Sequence, residues 1–400
     1  MKIISSLFLT LIALTGFAQK RDNKIVIGTI DTVYSKILNE KRIIYIHVPD
    51  GDKNERYPVL YVLDGDQHFE SAVAIDEQIS GIIPNMVIVG ITNTDRERDL
   101  TPTHVKPDRI INAGDAARSG GGENFMGFIE KELIPYVDAH YLTTSYRVFS
   151  GHSLGGLTVV NAFFNHTGLF NAYIAIDPSL WWDGRRWIEK YENELSQHNF
   201  NNKGLFVAIA NNLPAGLDTI SVLKDTGINT SFSRSVLGFA HTVRSASPEG
   251  LRFGAKFYPN EWHGSVELNA EYDALRYLFK FYHFDMNYVR AHRELNPDSL
   301  VSAHFNKVSK QMGYQVLPTE DMINNMAYDY MGEQKMNFAL SLFKRNIENH
   351  PQSSNAWDSL GDYYVSAGDK QKAIDAFSKS LRLKETQDTR RKLEEVKGKH

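Results

Sequence analysis

Through the first two-thirds of the chain, short runs rich in Val, Ile, Tyr and Phe recur, and from Met86 onward helical patterns separate them. The runs are Lys24–Ile30, Arg42–Val48, Val59–Leu63, Met86–Thr92, Arg147–Ser150, Ala172–Ile176, Gly204–Ala210 and Phe253–Tyr258, with helical stretches at 123–141 and 154–168. Strands alternating with amphipathic helices build strand–helix–strand units, hence a mostly parallel sheet covered by helices on both faces. No helix fits between the first two strands, so these are expected to pair antiparallel at one edge. This is an α/β pattern, and 400 residues exceed one hydrophobic core.

The second unit announces itself near residue 283, where strand signals stop. Alignment from Glu320 and again from Ser354 gives a period of 34. Ile323 matches Trp357, Met326 Leu360, Ala327 Gly361, Tyr330 Tyr364, Ala339 Ala373 and Phe343 Phe377, and Pro351 closes the first unit. The pattern resembles two tetratricopeptide repeats over 318–386, helical hairpins whose small residues let helices approach closely. Two repeats are fewer than usually stand alone, so they should lean on a connecting segment, 284–317, or on the first domain, 19–283. The basic tail, 387–400, is expected to be a frayed, solvated helix.

At the N-terminus, Lys2 precedes an apolar run that closes with the small residues Gly16 and Ala18. That order of charge, apolar run and small residues is the pattern of an export signal over 1–18, cleaved after Ala18. It implies a periplasmic or secreted protein without a membrane span, because the run is shorter than the ~20 apolar residues a spanning helix needs. The chain contains no cysteine, which removes a lipid anchor, disulfides and thiolate metal sites, and a net charge of −4 offers no field for nucleic acid. No cofactor or metal is called for.

The chemistry is carried by "RVFSGHSLGGLTVV", 147–160. Gly151, Ser153 and Gly155 form G-x-S-x-G between a strand pattern and a helix pattern, the setting in which a serine sits exposed on a strained turn. A serine hydroxyl near neutral pH needs a base within hydrogen-bond reach. The loop after the last strand supplies His263, followed by Gly264 and a new helix pattern. His152 is read as packing behind the turn. A carboxylate should orient the imidazole. Chain order points to the loop after Gly204–Ala210, which offers Asp218 and Asp225; Glu261 is a rival, and a dyad without an acid stays open. Two backbone N–H groups should stabilise the oxyanion: that of Leu154, and that of Asp66 in the "DGDQHF" loop.

Four blocks in order, "VLYVLDGDQHF" (59–69), "GHSLGGL" (151–157), "DPSLWWD" (177–183) and "WHGSV" (262–266), resemble the esterase D-like branch of the α/β-hydrolases. The resemblance spans roughly residues 25–283 and lies close to esterases that open trilactone siderophores. It implies Ser153 as nucleophile, His263 as base, and Leu154 and Asp66 as oxyanion donors; members of the branch vary in their acid. The appended repeats are absent from the siderophore enzymes.

Loops beyond the carboxyl ends of the strands should form the substrate rim. Trp181 and Trp182 could stack on an aromatic acyl group or wedge the cap. Arg96 and Arg98 could meet an anionic substrate, or be neutralised by the interleaved Asp95, Glu97 and Asp99. The expectation is an exported serine esterase acting on a small, aromatic or anionic ester of siderophore type, with feruloyl or acetyl esters of plant-wall sugars as the near alternative. A different class is a non-catalytic scaffold that binds a protein partner through the helical repeats.

Overall fold

The computed structural model describes residues 24–51 and 54–398; the expected export segment, 1–18, lies outside the described residues. Eight strands form one sheet: β1 Thr29–Ser35, β2 Glu40–His47, β3 Tyr57–Leu63, β4 Val87–Ile91, β5 Thr143–His152, β6 Ala172–Ile176, β7 Gly204–Ala210 and β8 Arg252–Tyr258. Their order is β1-β2-β4-β3-β5-β6-β7-β8, with β1–β2 and β2–β4 antiparallel and every other pair parallel. The central strands β3, β4, β6 and β7 are buried along their whole length. Continuous apolar runs are what a strand covered on both faces requires.

One face is packed by the helix Leu154–Asn165, the helical stretch 122–140 and the helix Ser231–Ala246, through Phe125, Phe128, Leu157, Phe163 and Phe239. The other is packed by the helices Gly65–Gln78 and Glu267–Leu278, through Phe69, Val73, Leu275 and Leu278. The first strand differs from expectation. Ile25 and Val26 are exposed, and pairing begins at Thr29 because the turn Lys36–Asn39 fixes the register of Ser35 against Glu40 and buries Val33.

Beyond the sheet, the helix Pro297–Met312 joins the two cores: Val308 and Met312 enter the sheet's second core, while Val301 packs with the helices that follow. Those helices are Glu320–Gly332, Met336–Asn349, Ser354–Ser366 and Lys370–Leu383, so the second pair begins 34 residues after the first. At the C-terminal end the expected helix forms over Gln387–Lys397, capped by the Thr386 hydroxyl, but it is packed on one side and not solvated all round. Leu393 is buried against Ala373 and Phe377, and Lys392 bridges Asp358 (2.6 Å) and Asp362 (2.9 Å). Leu393 and Val396, three residues apart on one face, anchor what a count of charges would leave in solvent. Among the described residues no helix is long and apolar enough to cross a membrane.

Candidate active site

β5 ends in the centre of the sheet, flanked by β3 and β6. There Ser153 takes φ 60°, ψ −116°, a conformation costly for any residue with a Cβ, and the helix Leu154–Asn165 starts at the next residue. The two flanking glycines make this turn possible. A Cβ on Gly151 would stand 2.5 Å from the backbone of Gly155, and one on Gly155 would stand 3.3 Å from Leu63 and from the Asp64 carboxylate. The turn therefore raises the Ser153 hydroxyl at the C-terminal end of the strands, where open α/β sheets place ligands.

His263 lies on the loop after β8, and its Nε2 is 3.1 Å from Ser153 Oγ. Its Nδ1 is 2.7 Å from Oδ2 of Asp177, the residue directly after β6. Asp177 is 1% exposed and also accepts from the Ala210 amide (3.0 Å, on Oδ1) and Asn212 Nδ2 (2.9 Å, on Oδ2). Asn212 in turn accepts from the His263 amide, so carboxylate and histidine loop are tied together. A serine, a histidine and a carboxylate thus form one hydrogen-bonded line across three strand ends.

The carboxylates expected in this role stand elsewhere. Asp218 is exposed and holds the turn at Ser221, whose hydroxyl is 2.8 Å away. Asp225 is occupied by the Gly227 amide and the Thr230 hydroxyl. Glu261 accepts from Ser265 and Asn269, bracing the start of the helix that follows His263. The loop after β7 does reach the histidine, but with Asn212. The carboxylate comes from one strand nearer the serine, because β6 is the direct neighbour of β5. The visible signal was an aspartate immediately at the end of an apolar strand, in "AIDPS".

The amides of Leu154 and Asp66 occupy the first and second positions of their helices, ahead of the first turn's bonds from Leu157 to Ser153 O and from Gln67 to Asp64 O. Such amides have no intrahelical partner and sit at the positive end of a helix. Parallel pairing of β3 with β5 brings the Asp64–Asp66 turn beside the serine turn. Asp64, at φ 53°, is clamped by Arg96 through two bonds (2.7 and 2.8 Å) and by Asn93. Burial would raise the Asp64 carboxyl, but the bonds and charge of Arg96 outweigh it and hold the group below its ordinary value.

Arg96 is therefore committed to the protein. So is Arg98, which bonds Glu40 and Asp99: of the two alternatives for this rim, ion pairing within the protein is the one present, through Asp99 among the interleaved acids and through Asp64 and Glu40 outside them. Trp182 is also not a rim residue: it is 2% exposed and its indole N–H donates to Thr103. Trp181 is half-buried beside Phe232, and the Phe232 ring stands edge-on to His263, 4.9 Å between centroids. Trp181 and Phe232 are thus an aromatic pair that borders His263 through Phe232, a residue on the helix Ser231–Ala246 that no local motif marks.

His152, read from the sequence as packing behind the serine turn, stands against the His263 ring, 4.5 Å between centroids, and its ring also meets that of His68 at 6.0 Å. Burial, then the neighbouring His263 and His68, pull His152 down to about 4, so it is neutral near pH 7. His68 is 3.2 Å from Glu267, which outweighs burial and raises the imidazole. Among the described residues, no cluster of three or more His, Cys, Asp or Glu could hold a metal ion.

A mostly parallel sheet with helices on both faces, carrying a serine on a strand-to-helix turn and a histidine after the last strand, defines an α/β-hydrolase. Residues 35–239, which contain Ser153 and Asp177 but stop short of His263, match the Esterase family, and the chain belongs to that family as a carboxylic ester hydrolase. Ferri-bacillibactin esterase BesA of Bacillus subtilis is 31% identical over 206 residues, 44% of this chain and 71% of that protein. The siderophore triacetylfusarinine C esterase of Aspergillus fumigatus is 30% identical over 140 residues, 32% of this chain and 45% of that protein. Among solved structures, an IroE-like serine hydrolase from Shewanella oneidensis aligns with a TM-score of 0.68 at 32% identity, covering 80% of this chain and 99% of that one. An uncharacterised protein from Capnocytophaga ochracea shares the fold over 93% of this chain and 99% of that one, with a TM-score of 0.65 at 18% identity.

Proposed function

We propose that the chain is an exported serine esterase that opens esters of siderophore type through an acyl-enzyme. The observation that carries the mechanism is the line Ser153 Oγ, His263 Nε2, His263 Nδ1, Asp177 Oδ2, at 3.1 and 2.7 Å. As Ser153 Oγ bonds the ester carbon, its proton passes to His263 Nε2 and the carbonyl π pair moves onto oxygen, facing the Leu154 and Asp66 amides. The pair then returns, the bond to the alcohol oxygen breaks, and His263 gives that oxygen its proton. Water repeats the sequence and releases the acid. Asp177 keeps Nδ1 protonated and offsets the charge of the imidazolium.

The substrate class rests on relatives named for siderophore esters and on the aromatic pair of Trp181 and Phe232, which suits aryl acyl groups. Feruloylated and acetylated sugars are the competing substrates. Export rests on the N-terminal charge, apolar run and small residues. The helical pairs are read as tetratricopeptide repeats because their 34-residue offset coincides with the matched small and aromatic positions, and they offer a surface for a protein partner.

The deciding experiment compares the native protein with Ser153→Ala on p-nitrophenyl acetate, ferric trilactones, feruloylated sugars and acetylated sugars. The expected result is trilactone opening by the native protein alone and fluorophosphonate labelling that vanishes with Ser153. Retained turnover in Ser153→Ala removes the mechanism; turnover confined to sugar esters removes the substrate class; a native protein that neither labels nor turns over favours the scaffold.

A further inference from the structure

Asp177 and Ser179 share one turn, and the hydrolytic line uses only the first. Ser179 is 2% exposed, and its Oγ lies 3.4 Å from Ser153 Oγ. The position is fixed from several sides. The Ser179 amide donates to Ser153 O (3.0 Å), and Ser179 O accepts from the Trp182 amide (3.1 Å). The Trp182 indole is anchored on Thr103, and Gly156 leaves room for Pro178, whose Cα would stand 2.9 Å from a Cβ there. A buried hydroxyl costs free energy unless it finds a partner, and among the described residues the nucleophile's oxygen is the partner it has.

We propose that Ser179 is a second hydroxyl donor to the oxygen of Ser153, a contact that strengthens as that oxygen gives up its proton. The inference rests on Ser153 being the nucleophile. In the resting site Ser153 donates its own hydrogen toward His263 Nε2, leaving its lone pairs to accept from Ser179. When the proton moves to His263 and the Oγ pair begins to bond the ester carbon, negative charge builds on Oγ. A donor 3.4 Å away is long at rest and tightens on an oxygen gaining charge. Deacylation runs the same contact in reverse: the bond from carbon to Oγ breaks, its pair returns to Oγ, and His263 returns the proton. Ser179 transfers no proton in either step, and its hydroxyl contact is to Ser153 Oγ. Its contribution therefore falls on kcat, in both halves of the reaction, and not on substrate binding.

The test is Ser179→Ala on p-nitrophenyl acetate, a change that keeps the backbone bond to Ser153. One hydrogen bond of ordinary strength corresponds to a kcat lowered about three- to tenfold, with KM within about twofold and fluorophosphonate labelling of Ser153 slowed by a similar factor. Ser179→Thr, which keeps the hydroxyl, should recover most of kcat even if either variant melts earlier. An alanine variant with native kcat, a loss confined to KM, or a threonine variant as slow as the alanine variant overturns the proposal. Ser153→Ala keeps the two readings apart. If it abolishes turnover while Ser179→Ala is native, only this inference fails; if it retains turnover, the nucleophile itself is wrong.

Discussion

Replacing Asp177 with asparagine keeps the shape of the side chain and removes its charge, so it isolates what the carboxylate does. Three donors converge on Asp177: the Ala210 amide on Oδ1, and Asn212 Nδ2 and His263 Nδ1 on Oδ2. An asparagine has one acceptor oxygen for these two sites. With that oxygen toward Ala210, its NH2 group faces the Asn212 NH2 and His263 Nδ1, so the imidazole shifts its hydrogen to Nε2 and can no longer take the proton of Ser153. With the amide flipped, the NH2 group opposes the Ala210 N–H. The lost attraction between carboxylate and imidazolium adds to this. The histidine side chain is 32% exposed, which argues for an effective dielectric near 20 rather than a dry interior. Two unit charges ~4 Å apart in such a medium attract by about 4 kcal/mol, which corresponds to a loss of kcat of about a thousandfold. The assay is steady-state hydrolysis of p-nitrophenyl acetate, with Asp218→Ala expected within about twofold of native because that carboxylate holds only its own turn. An Asp177→Asn variant within tenfold of native, or an equally damaged Asp218→Ala variant, refutes the assignment of the acid.

Two further outcomes concern stability. Asp76, on the helix Gly65–Gln78, is 1% exposed; its Oδ2 accepts from the Met86 amide while Oδ1 has no partner among the described residues, and burial pushes its carboxyl up to about 7. Between its ordinary value of 3.8 and about 7 the folded state binds the extra proton, so this group's contribution to stability falls as pH rises through that window. Asp76→Asn should therefore melt higher than the native protein at pH 8 and lose that advantage at pH 4, and parallel melting curves at the two pH values would contradict this. Leu393→Ala empties a 3%-exposed site in the last helix and should cost about 2–3 kcal/mol in denaturant melts while leaving kcat unchanged; unaltered stability would mean that the helix packs more loosely than its contacts indicate.

Much of the catalytic end was legible because chain order and local pattern determine it. A serine between two glycines, after a strand run and before a helix run, names its own turn, and a histidine after the last strand needs only the strand count. Asp66 and Leu154 follow from the same logic, since an amide at the start of a helix lacks a partner wherever the helix lies. The arginines and tryptophans were less legible. Whether Arg96 faces solvent or Asp64, and whether Trp182 lines a mouth or wedges against Thr103, is decided by groups 32 and 79 residues away in the chain.

The sequence by itself determined that strands would alternate with helices, that Ser153 would stand on a strained turn, that His263 would follow the last strand and that a helical pair would recur after 34 residues. These are local properties of spacing, burial pattern and backbone freedom. Only the tertiary structure decided which carboxylate reaches His263. That choice depends on a distance across the ends of three neighbouring strands, where Asp177 lies within 2.7 Å and Asp218 turns into solvent, and hydrogen-bond free energy vanishes within an ångström or two of that range.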